Sequence, residues 1–246
     1  MRRPAVQRLL PRYAVAWCYV IAVTVAGIWY TLAPLAARQA VLSWSSTNVH
    51  NLHAHPAAAM VASAFFFSPG LVPVWPALIA LALFPACGVL GNWRTAVVCV
   101  AGHVIGTLVS EGIAGYRIDH GTLPASARYL LDVGPSYIVV AAIAVAILYG
   151  GWLARGAALL DLALLAFVGD IFAGLGHLDV AAVGHVTAIA TGVLVGSAAY
   201  WNLRWVRRRR AAQAAAAGAP ADPGPADPAD PDVDRPDHSA QPRPRA

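Results

Sequence analysis

The sequence is poor in charged residues and contains no lysine. Only 12% of its 246 residues are charged and 59% are hydrophobic, and the mean hydropathy is +0.60. Soluble domains carry about a quarter charged residues, so this composition excludes an ordinary soluble globular domain. It predicts an all-α integral membrane protein.

Cysteine is also scarce. Cys18, Cys87 and Cys99 all lie in apolar stretches, and no two of them form a Cys-x-x-Cys pair. This pattern excludes a disulfide framework and a zinc knuckle. We therefore expect the cysteines to be packing residues, and we predict no metal and no cofactor.

Because lysine is absent, the positive charge is an arginine pattern. Residues 1–210 carry 14 arginines against six acidic residues, a net charge of +8, whereas residues 211–246 have a net charge of −3. The Ala, Pro and Asp of the second segment have little to bury, which predicts a disordered tail. The arginine cluster at 207–210 directly follows an apolar stretch, so we expect it to contact anionic lipid and not nucleic acid.

Six apolar stretches approach the roughly 20 residues that a membrane span needs. They are residues 14–33, 74–90, 95–114, 133–153, 157–173 and 180–203. Arginines precede the first and follow the last, so the positive-inside rule predicts cytoplasmic N- and C-termini in a plasma membrane of bacterial type. The predicted organisation is a cytosolic N-terminus (1–13), a six-helix membrane domain (14–205) and a basic juxtamembrane segment with the tail (206–246).

The membrane domain includes a long outer segment at 34–73. This segment mixes a polar run, 43–48, with an apolar stretch that ends at three phenylalanines, 65–67. Its tryptophan and phenylalanines favour a position at the outer interface of the bilayer.

Ionisable and polar residues at membrane depth are candidates for function, because burying them in lipid is costly. The candidates are His103, Glu111, Asp132, Ser136, Asp161, Asp170 and His185. Asp132 is predicted to cap the fourth span, which places Ser136 about 6 Å below its start, and Asp179 to cap the sixth, which places His185 about 9 Å below.

Ser136 and His185 are therefore expected at similar depth. A hydroxyl beside an imidazole is the minimum for nucleophilic catalysis. The same two residues could instead form a structural hydrogen bond between helices, and the depth argument leaves both interpretations open.

Small residues recur at helical spacing on two of the predicted spans. Gly102 and Gly106 lie on the third, and Ala188, Gly192 and Gly196 follow His185 on the sixth. Such stripes are typical of closely packed membrane helices, so helix packing is the expected role of these five residues.

Three motifs occur in a recognisable order. They are Gly134-Pro-Ser136 at the outer end of the fourth span, Gly184-His185-x-x-Ala188-x-x-x-Gly192 on the sixth, and Leu90-Gly91-Asn-Trp-Arg94 between the second and third. In order and topology this set resembles the rhomboid family of intramembrane serine proteases over roughly residues 14–205.

The resemblance implies a rhomboid-like six-helix bundle with Ser136 as nucleophile and His185 as general base. It implies cleavage of transmembrane substrate proteins near their outer end. Gly134 and Asp132 are expected to support the helix start, whose backbone N–H groups would help to hold the oxyanion.

The sequence also departs from the family pattern. The family's oxyanion-binding His and Asn correspond to Leu71 and Trp75, and neither is expected to hold the oxyanion. The family's glutamate corresponds to Cys87. The residue after the nucleophile is Tyr137 in place of Gly. Loss of one oxyanion donor elsewhere costs about 10²–10³ in rate, so a catalytically silent relative that binds transmembrane clients is the alternative.

Further alternatives concern histidine and aspartate. His55 or His103 could replace the missing oxyanion donor, or His103 and His185 could be axial haem ligands. A His-x-x-His-x-His cluster at 50–55 could bind a metal, although we expect this segment to be a solvated loop. Asp161 and Asp170 could carry protons in a transporter.

Overall fold

The computed structural model describes residues 11–67 and 74–218, and every regular element within them is helical. In chain order the α-helices are α1 Ala14–Leu32, α2 Leu35–Ser45, α3 Val49–Ala54, α4 Pro56–Ser63, α5 Trp75–Leu90, α6 Asn92–Asp119, α7 Ser136–Tyr149, α8 Trp152–Phe167 and α9 Val180–Gly218. Short 3-10 turns lie at Ala125–Tyr129 and Leu175–His177. Leu71, the arginines before residue 11 and the predicted tail beyond residue 218 lie outside the described residues.

Each of the six predicted spans overlaps one of the helices α1, α5, α6, α7, α8 and α9. Three of them, α1, α6 and α9, are long and apolar enough to cross a membrane by length and composition. Helices α5 and α7 are apolar but shorter, with 16 and 14 residues. The helical membrane class is thus established, and the count of six spans stays a prediction.

Several predicted boundaries differ from the structure. Helix α8 ends at Phe167, so Asp170 lies beyond it in a turn, with a positive φ of 49°. The predicted coil is helical over residues 211–218, because the alanines there are the strongest helix formers. The chain divides into two units, Met1–Trp205 and Val206–Ala246.

Helix α7 lies at the centre of the first unit. All residues from Tyr137 to Ala146 are buried, and the helix packs against α5, α6 and α8. A helix that is apolar on every side is stable only when other elements surround it. Helix α1 packs outside this centre, against α5 and α6.

Glycines let α6 and α9 approach α7 closely. A Cβ added to Gly102 of α6 would lie 2.5 Å from Cβ of Ala141. A Cβ added to Gly192 of α9 would lie 2.5 Å from the carbonyl oxygen of the same alanine, and one added to Gly196 would lie 2.5 Å from Cγ2 of Val145. Any side chain at these positions would force the helices apart.

Gly106 and Ala188 bring α6 and α9 together. A Cβ on Gly106 would lie 3.0 Å from the carbonyl oxygen of Gly184 and 3.4 Å from Cβ of Ala188, which is fully buried. The small-residue positions on both helices therefore meet around α7.

The outer segment folds into α2, α3 and α4, and residues 45–48 of its polar run are buried inside the protein. Asn51 donates hydrogen bonds from its side-chain amide to the carbonyl oxygens of Ser43 (2.7 Å) and Ser46 (2.8 Å). The N–H of Thr47 donates to the carbonyl oxygen of Asp132 at 2.9 Å, and the N–H of Asp132 donates to Oγ of Ser46 at 3.0 Å. These bonds satisfy the buried polar groups and hold the outer segment against the chain that leads into α7.

Candidate functional site

Ser136 and His185 line one cavity. The cavity has a volume of about 340 Å³ and lies among α5, α7, α8 and α9. Its lining residues are Val74, Trp75, Leu78, Ser136, Leu164, Leu165, Val168, Gly169, Ile171 and His185. The serine and the histidine are the polar pair in a wall that is otherwise largely apolar.

Ser136 is the first residue of α7, with Pro135 before it as the N-cap. The prediction that the helix begins at Asp132 is wrong, because Gly134 adopts a φ of +137° that is not helical. Its N–H donates to the carbonyl oxygen of Ser63 at 2.9 Å, so Gly134 anchors the turn to α4 and has no free donor. Ser136 is half-buried, at the positive end of the helix dipole.

His185 is 5% exposed, and neither of its ring nitrogens has a hydrogen-bond partner among the described residues. Its ring lies near the backbone of Ile171 and Ala181 and meets the edge of the Tyr137 ring, with centroids 4.9 Å apart and planes at 79°. No hydrogen bond within 3.5 Å joins the ring to the Ser136 hydroxyl in the described structure. Catalytic hydrogen bonds are often long before substrate binds.

Asp132 bonds to side chains and not to the helix start. Its carboxylate accepts hydrogen bonds from Oγ1 of Thr47 at 3.2 Å and from the Tyr137 hydroxyl at 3.3 Å. Burial raises the pKa of this carboxyl to about 6, against the smaller opposing effect of those two hydrogen bonds. The predicted capping role is therefore replaced by a link between the outer segment and Tyr137.

Tyr137 fits a space that Gly184 leaves open. A Cβ on Gly184 would overlap Oη and Cζ of Tyr137 and would lie 2.7 Å from its Cε1. Tyr137 was predicted as a departure from the family motif, whereas Gly184 belongs to one of the matching motifs. In the structure the two positions are complementary, because the tyrosine ring occupies the space that a side chain at Gly184 would need.

The other histidines that the structure describes do not line the cavity of Ser136 and His185. His103 Nε2 lies 2.9 Å from the carbonyl oxygen of Met60 and 3.1 Å from Oγ of Ser63, beside a separate cavity of about 320 Å³. His55 Nε2 lies 3.0 Å from the carbonyl oxygen of Trp44. The hypothesis that one of these histidines replaces the oxyanion donor is wrong for this structure.

The haem hypothesis fails on the same geometry. The Tyr137 ring contacts His185 and also faces His103, at a centroid distance of 6.2 Å. A porphyrin between the two imidazoles would have to occupy the place of that ring.

The remaining candidate residues, His50, Asp161 and Asp170, do not line the cavity of Ser136 and His185. His50 packs on Tyr129, and within the described ranges no group of three or more side chains is arranged to hold a metal. Asp161 is fully buried in α8, and neither of its carboxyl oxygens has a hydrogen-bond partner in the described chain. Asp170 lies in the turn after that helix, so the two aspartates do not form one path along it.

Trp75 was discounted from the sequence, yet it belongs to this cavity. It is the first residue of α5, is 6% exposed, and has its indole Nε1 buried without a partner in residues 11–67 and 74–218. The family motif has an imidazole or an amide as its donor, and tryptophan has neither. Its indole nevertheless carries one N–H donor, which the motif alone does not indicate.

Apolar helices packed around a buried central helix define a polytopic helical membrane protein. A family model described as rhomboid-like protein matches residues 10–208. The chain therefore belongs to the rhomboid-like protein family, which confirms the resemblance. Neither the curated proteins nor the solved structures gave a match.

Proposed function

We propose that this protein is an intramembrane serine protease in which Ser136 is the nucleophile and His185 the general base. The observation that carries the proposal is one cavity lined by the serine and by a buried imidazole whose ring nitrogens have no hydrogen-bond partner among the described residues. Such a group is unusual, and its unpaired acceptor nitrogen is available to take the Ser136 proton. The proposal places both termini in the cytoplasm and the cavity near the outer face of the plasma membrane.

The reaction follows from these two groups. The Ser136 oxygen bonds to the carbonyl carbon of the substrate peptide, its proton passes to a ring nitrogen of His185, and the carbonyl electron pair moves onto oxygen. When the carbon–nitrogen bond breaks, the leaving amine takes the proton from His185. Water then attacks the acyl-enzyme by the same route and releases the serine.

The first turn of α7 supports the negative oxygen. The N–H groups of Ser136 and Tyr137 precede the first intrahelical bond, which the N–H of Val139 makes to the carbonyl oxygen of Pro135 at 3.0 Å. Free N–H groups and the helix dipole favour an anion at this end. The nucleophile thus lies at the helix terminus that stabilises the charge formed by its attack.

The cavity wall favours a transmembrane substrate. Val74 at the start of α5 is 42% exposed, and Leu164 and Val168 at the end of α8 are 38% and 78% exposed. Apolar side chains that line a cavity and also face outward are suited to a membrane-embedded segment that enters between α5 and α8. We therefore expect membrane-protein substrates, with the lipid bilayer as the surrounding partner.

A second candidate function is a silent relative that binds transmembrane clients. The favouring observation is the absence of a hydrogen bond between Ser136 and His185 in the described structure. Such a protein would use the same cavity for binding alone, and client binding would survive Ser136→Ala.

Labelling of the detergent-purified protein with a fluorophosphonate probe tests the proposal. The wild type is expected to label, and Ser136→Ala and His185→Ala are expected not to. The chain offers a matched control in its second serine–histidine contact, Ser63 with His103, which lies beside the other cavity. Ser63→Ala and His103→Ala should leave labelling in place.

Folding of every variant is checked by its unfolding transition. If folded wild-type protein does not label, the protease proposal fails and the client-binding function takes its place. Labelling that is lost in Ser63→Ala but kept in Ser136→Ala would assign the reactive serine to the wrong cavity and would also overturn the proposal.

A further inference from the structure

A cleft of about 620 Å³ lies at the opposite end of α7 from Ser136. Tyr149, the last residue of α7, lines this cleft, whereas Ser136 is the first residue of the same helix. The rise of 1.5 Å per residue places the two ends of α7 about 20 Å apart. The cleft has the size of a ligand site, and the proposed protease reaction does not use it.

Two pairs of aromatic rings line the cleft. The rings of Tyr13, which precedes α1, and Phe84 of α5 have centroids 5.6 Å apart. The rings of Tyr149 and Tyr200 of α9 are stacked, with centroids 4.0 Å apart and planes at 19°. Leu153, near the start of α8, also lines the cleft and is 66% exposed. The walls are therefore largely apolar, and the cleft is open to the surroundings of the bundle.

An arginine lies over one tyrosine of each pair. Cζ of Arg12 is 5.4 Å from the centroid of the Tyr13 ring, and Cζ of Arg204 is 5.7 Å from that of the Tyr200 ring. A cation–π contact holds a guanidinium group in place but leaves its N–H donors available. Both arginines are exposed, and neither has a carboxylate within ion-pair distance among the described residues. The rings that line the cleft therefore hold two positive charges beside it.

These features select a ligand with an apolar part and an anionic part. Aromatic and aliphatic walls favour a hydrocarbon chain, and a guanidinium group binds phosphate through two parallel N–H···O bonds. An anionic phospholipid combines an acyl chain with a phosphate. In the orientation proposed above, this end of the bundle lies in the cytoplasmic leaflet, where anionic lipids attract nearby arginines.

We propose that the cleft binds one anionic phospholipid, with an acyl chain along its aromatic walls and the phosphate bonded to Arg12 and Arg204. This binding does not depend on the reactivity of Ser136, so failure of the protease proposal leaves it intact. It also differs from a general attraction of arginines to a negative membrane surface, because it requires the cleft as well as the charges.

Native mass spectrometry of the full chain in detergent measures the affinity for the first bound lipid. Dioleoyl-phosphatidylglycerol is the anionic probe, and dioleoyl-phosphatidylcholine has the same chains with a neutral headgroup. The wild type should bind phosphatidylglycerol more tightly. Arg12→Gln and Arg204→Gln should each weaken that binding about fivefold, and the double variant about 25-fold, because each arginine contributes independently to the attraction. Binding of phosphatidylcholine should change little.

The chain offers a matched control for the loss of charge. Arg38 also lies over a tyrosine ring, with its Cζ 5.8 Å from the centroid of Tyr30, but Tyr30 does not line the cleft. Arg38→Gln removes one positive charge from the same kind of contact at another place. This variant should bind phosphatidylglycerol as tightly as the wild type does.

A second pair of variants tests the cleft without changing the charge. Gly88 of α5 lines the cleft, and a Cβ added there would make only ordinary contact with Tyr13, at 3.7 Å from its Oη. Gly88→Leu should therefore fold, fill part of the cleft and weaken phosphatidylglycerol binding about tenfold, the effect of displacing about two methylene groups from an apolar wall. Gly156→Leu is the control, because Gly156 has nothing within 4 Å of an added Cβ and does not line the cleft.

A measurement on the wild type alone accompanies the variants. A ligand that binds the folded state raises the unfolding midpoint, so phosphatidylglycerol should raise it more than phosphatidylcholine does. Glycerol 3-phosphate carries the phosphate without the chains, and it should neither raise the midpoint nor displace the bound lipid.

Four results would overturn the proposal. They are equal affinity of the wild type for the two lipids, wild-type affinity in the Arg12→Gln, Arg204→Gln double variant, an equal loss in Arg38→Gln, and wild-type affinity in folded Gly88→Leu. Displacement of the lipid by glycerol 3-phosphate would show a site for free phosphate in its place. Fluorophosphonate labelling of Ser136 is measured separately, so the two proposals stand or fall independently.

Discussion

Tyr137 and Gly184 share one space, so substitutions at the two positions should be strongly coupled. In Gly184→Ala the new methyl group would overlap the end of the Tyr137 ring and lie 2.7 Å from its Cε1, about 1 Å closer than ordinary carbon contact. The ring has little freedom to move, because it is 3% exposed, bonds to Asp132 and packs on His185. Overpacking of this kind costs about 1–3 kcal/mol.

We expect a net loss near 2 kcal/mol for Gly184→Ala alone. The overlap should cost about 3 kcal/mol, at the upper end of that range, and replacing glycine by alanine inside a helix offsets about 1 kcal/mol. Tyr137→Leu removes the end of the ring and keeps apolar bulk. In that background Gly184→Ala should be neutral or stabilising by up to about 1 kcal/mol, which gives a coupling energy of about 2–3 kcal/mol.

A double-mutant cycle on the free energy of unfolding measures this coupling, with reversible denaturation in mixed micelles as the assay. Tyr137→Phe is the matched control, because it removes the hydroxyl and keeps the ring carbons that the methyl group meets. Gly184→Ala should therefore remain destabilising in the Tyr137→Phe background. An equal cost for Gly184→Ala in the wild-type and Tyr137→Leu backgrounds would refute the shared-space argument.

Three further predictions concern Asp132, the helix contacts and the outer segment. Burial raises the pKa of Asp132 from 3.8 to about 6, so the stability that this group contributes is present below about pH 4 and is lost as the pH rises through about 6. Asp132→Asn removes this loss, so the free energy of unfolding of the variant relative to wild type should increase between about pH 4.5 and about pH 7.5. An unchanged difference between the two proteins would contradict the pKa shift. Gly192→Ala should destabilise the fold by about 1–3 kcal/mol because its Cβ meets the backbone of Ala141, whereas Gly112→Ala on α6, with nothing within 4 Å, should be neutral or slightly stabilising in the same unfolding assay. Asn51→Ala removes hydrogen bonds to three backbone carbonyl oxygens, so chemical denaturation should show a loss of about 1–3 kcal/mol, and a smaller loss would mean that water replaces the amide.

The positions of the long helices were predictable because long apolar runs between glycine, proline and arginine are a strong signal. The residues at which these helices begin and end were less predictable. The start of α7 at Ser136 depends on Pro135 at the cap and on the non-helical backbone of Gly134. The local sequence allowed Asp132 to cap the helix. In the structure its carboxylate accepts a hydrogen bond from Thr47, which lies 85 residues away in the chain.

The sequence predicted Ser136 and His185 at similar depth by counting 1.5 Å per residue from Asp132 and Asp179. The first of these starting points was wrong, because α7 begins at Ser136 itself, although the two residues do line one cavity. Height did not show which helices close the cavity. The walls contributed by α5 and α8 depend on tertiary packing, and so does the separation of His103 into another cavity. The burial of residues 45–48 was missed for the same reason, since Ser46 and Thr47 bond to Asp132.

Departures from a family motif have chemical meaning only through the atoms that they bring. Taken by itself, Tyr137 occupies the place of a glycine in the family motif, and Trp75 the place of an amide. In three dimensions the Tyr137 ring fills the space beside Gly184, and Trp75 lines the cavity that holds Ser136. The absence of the family's residues therefore does not by itself imply the absence of the family's chemistry, and the reactivity of Ser136 is the quantity that decides between a protease and a client-binding relative.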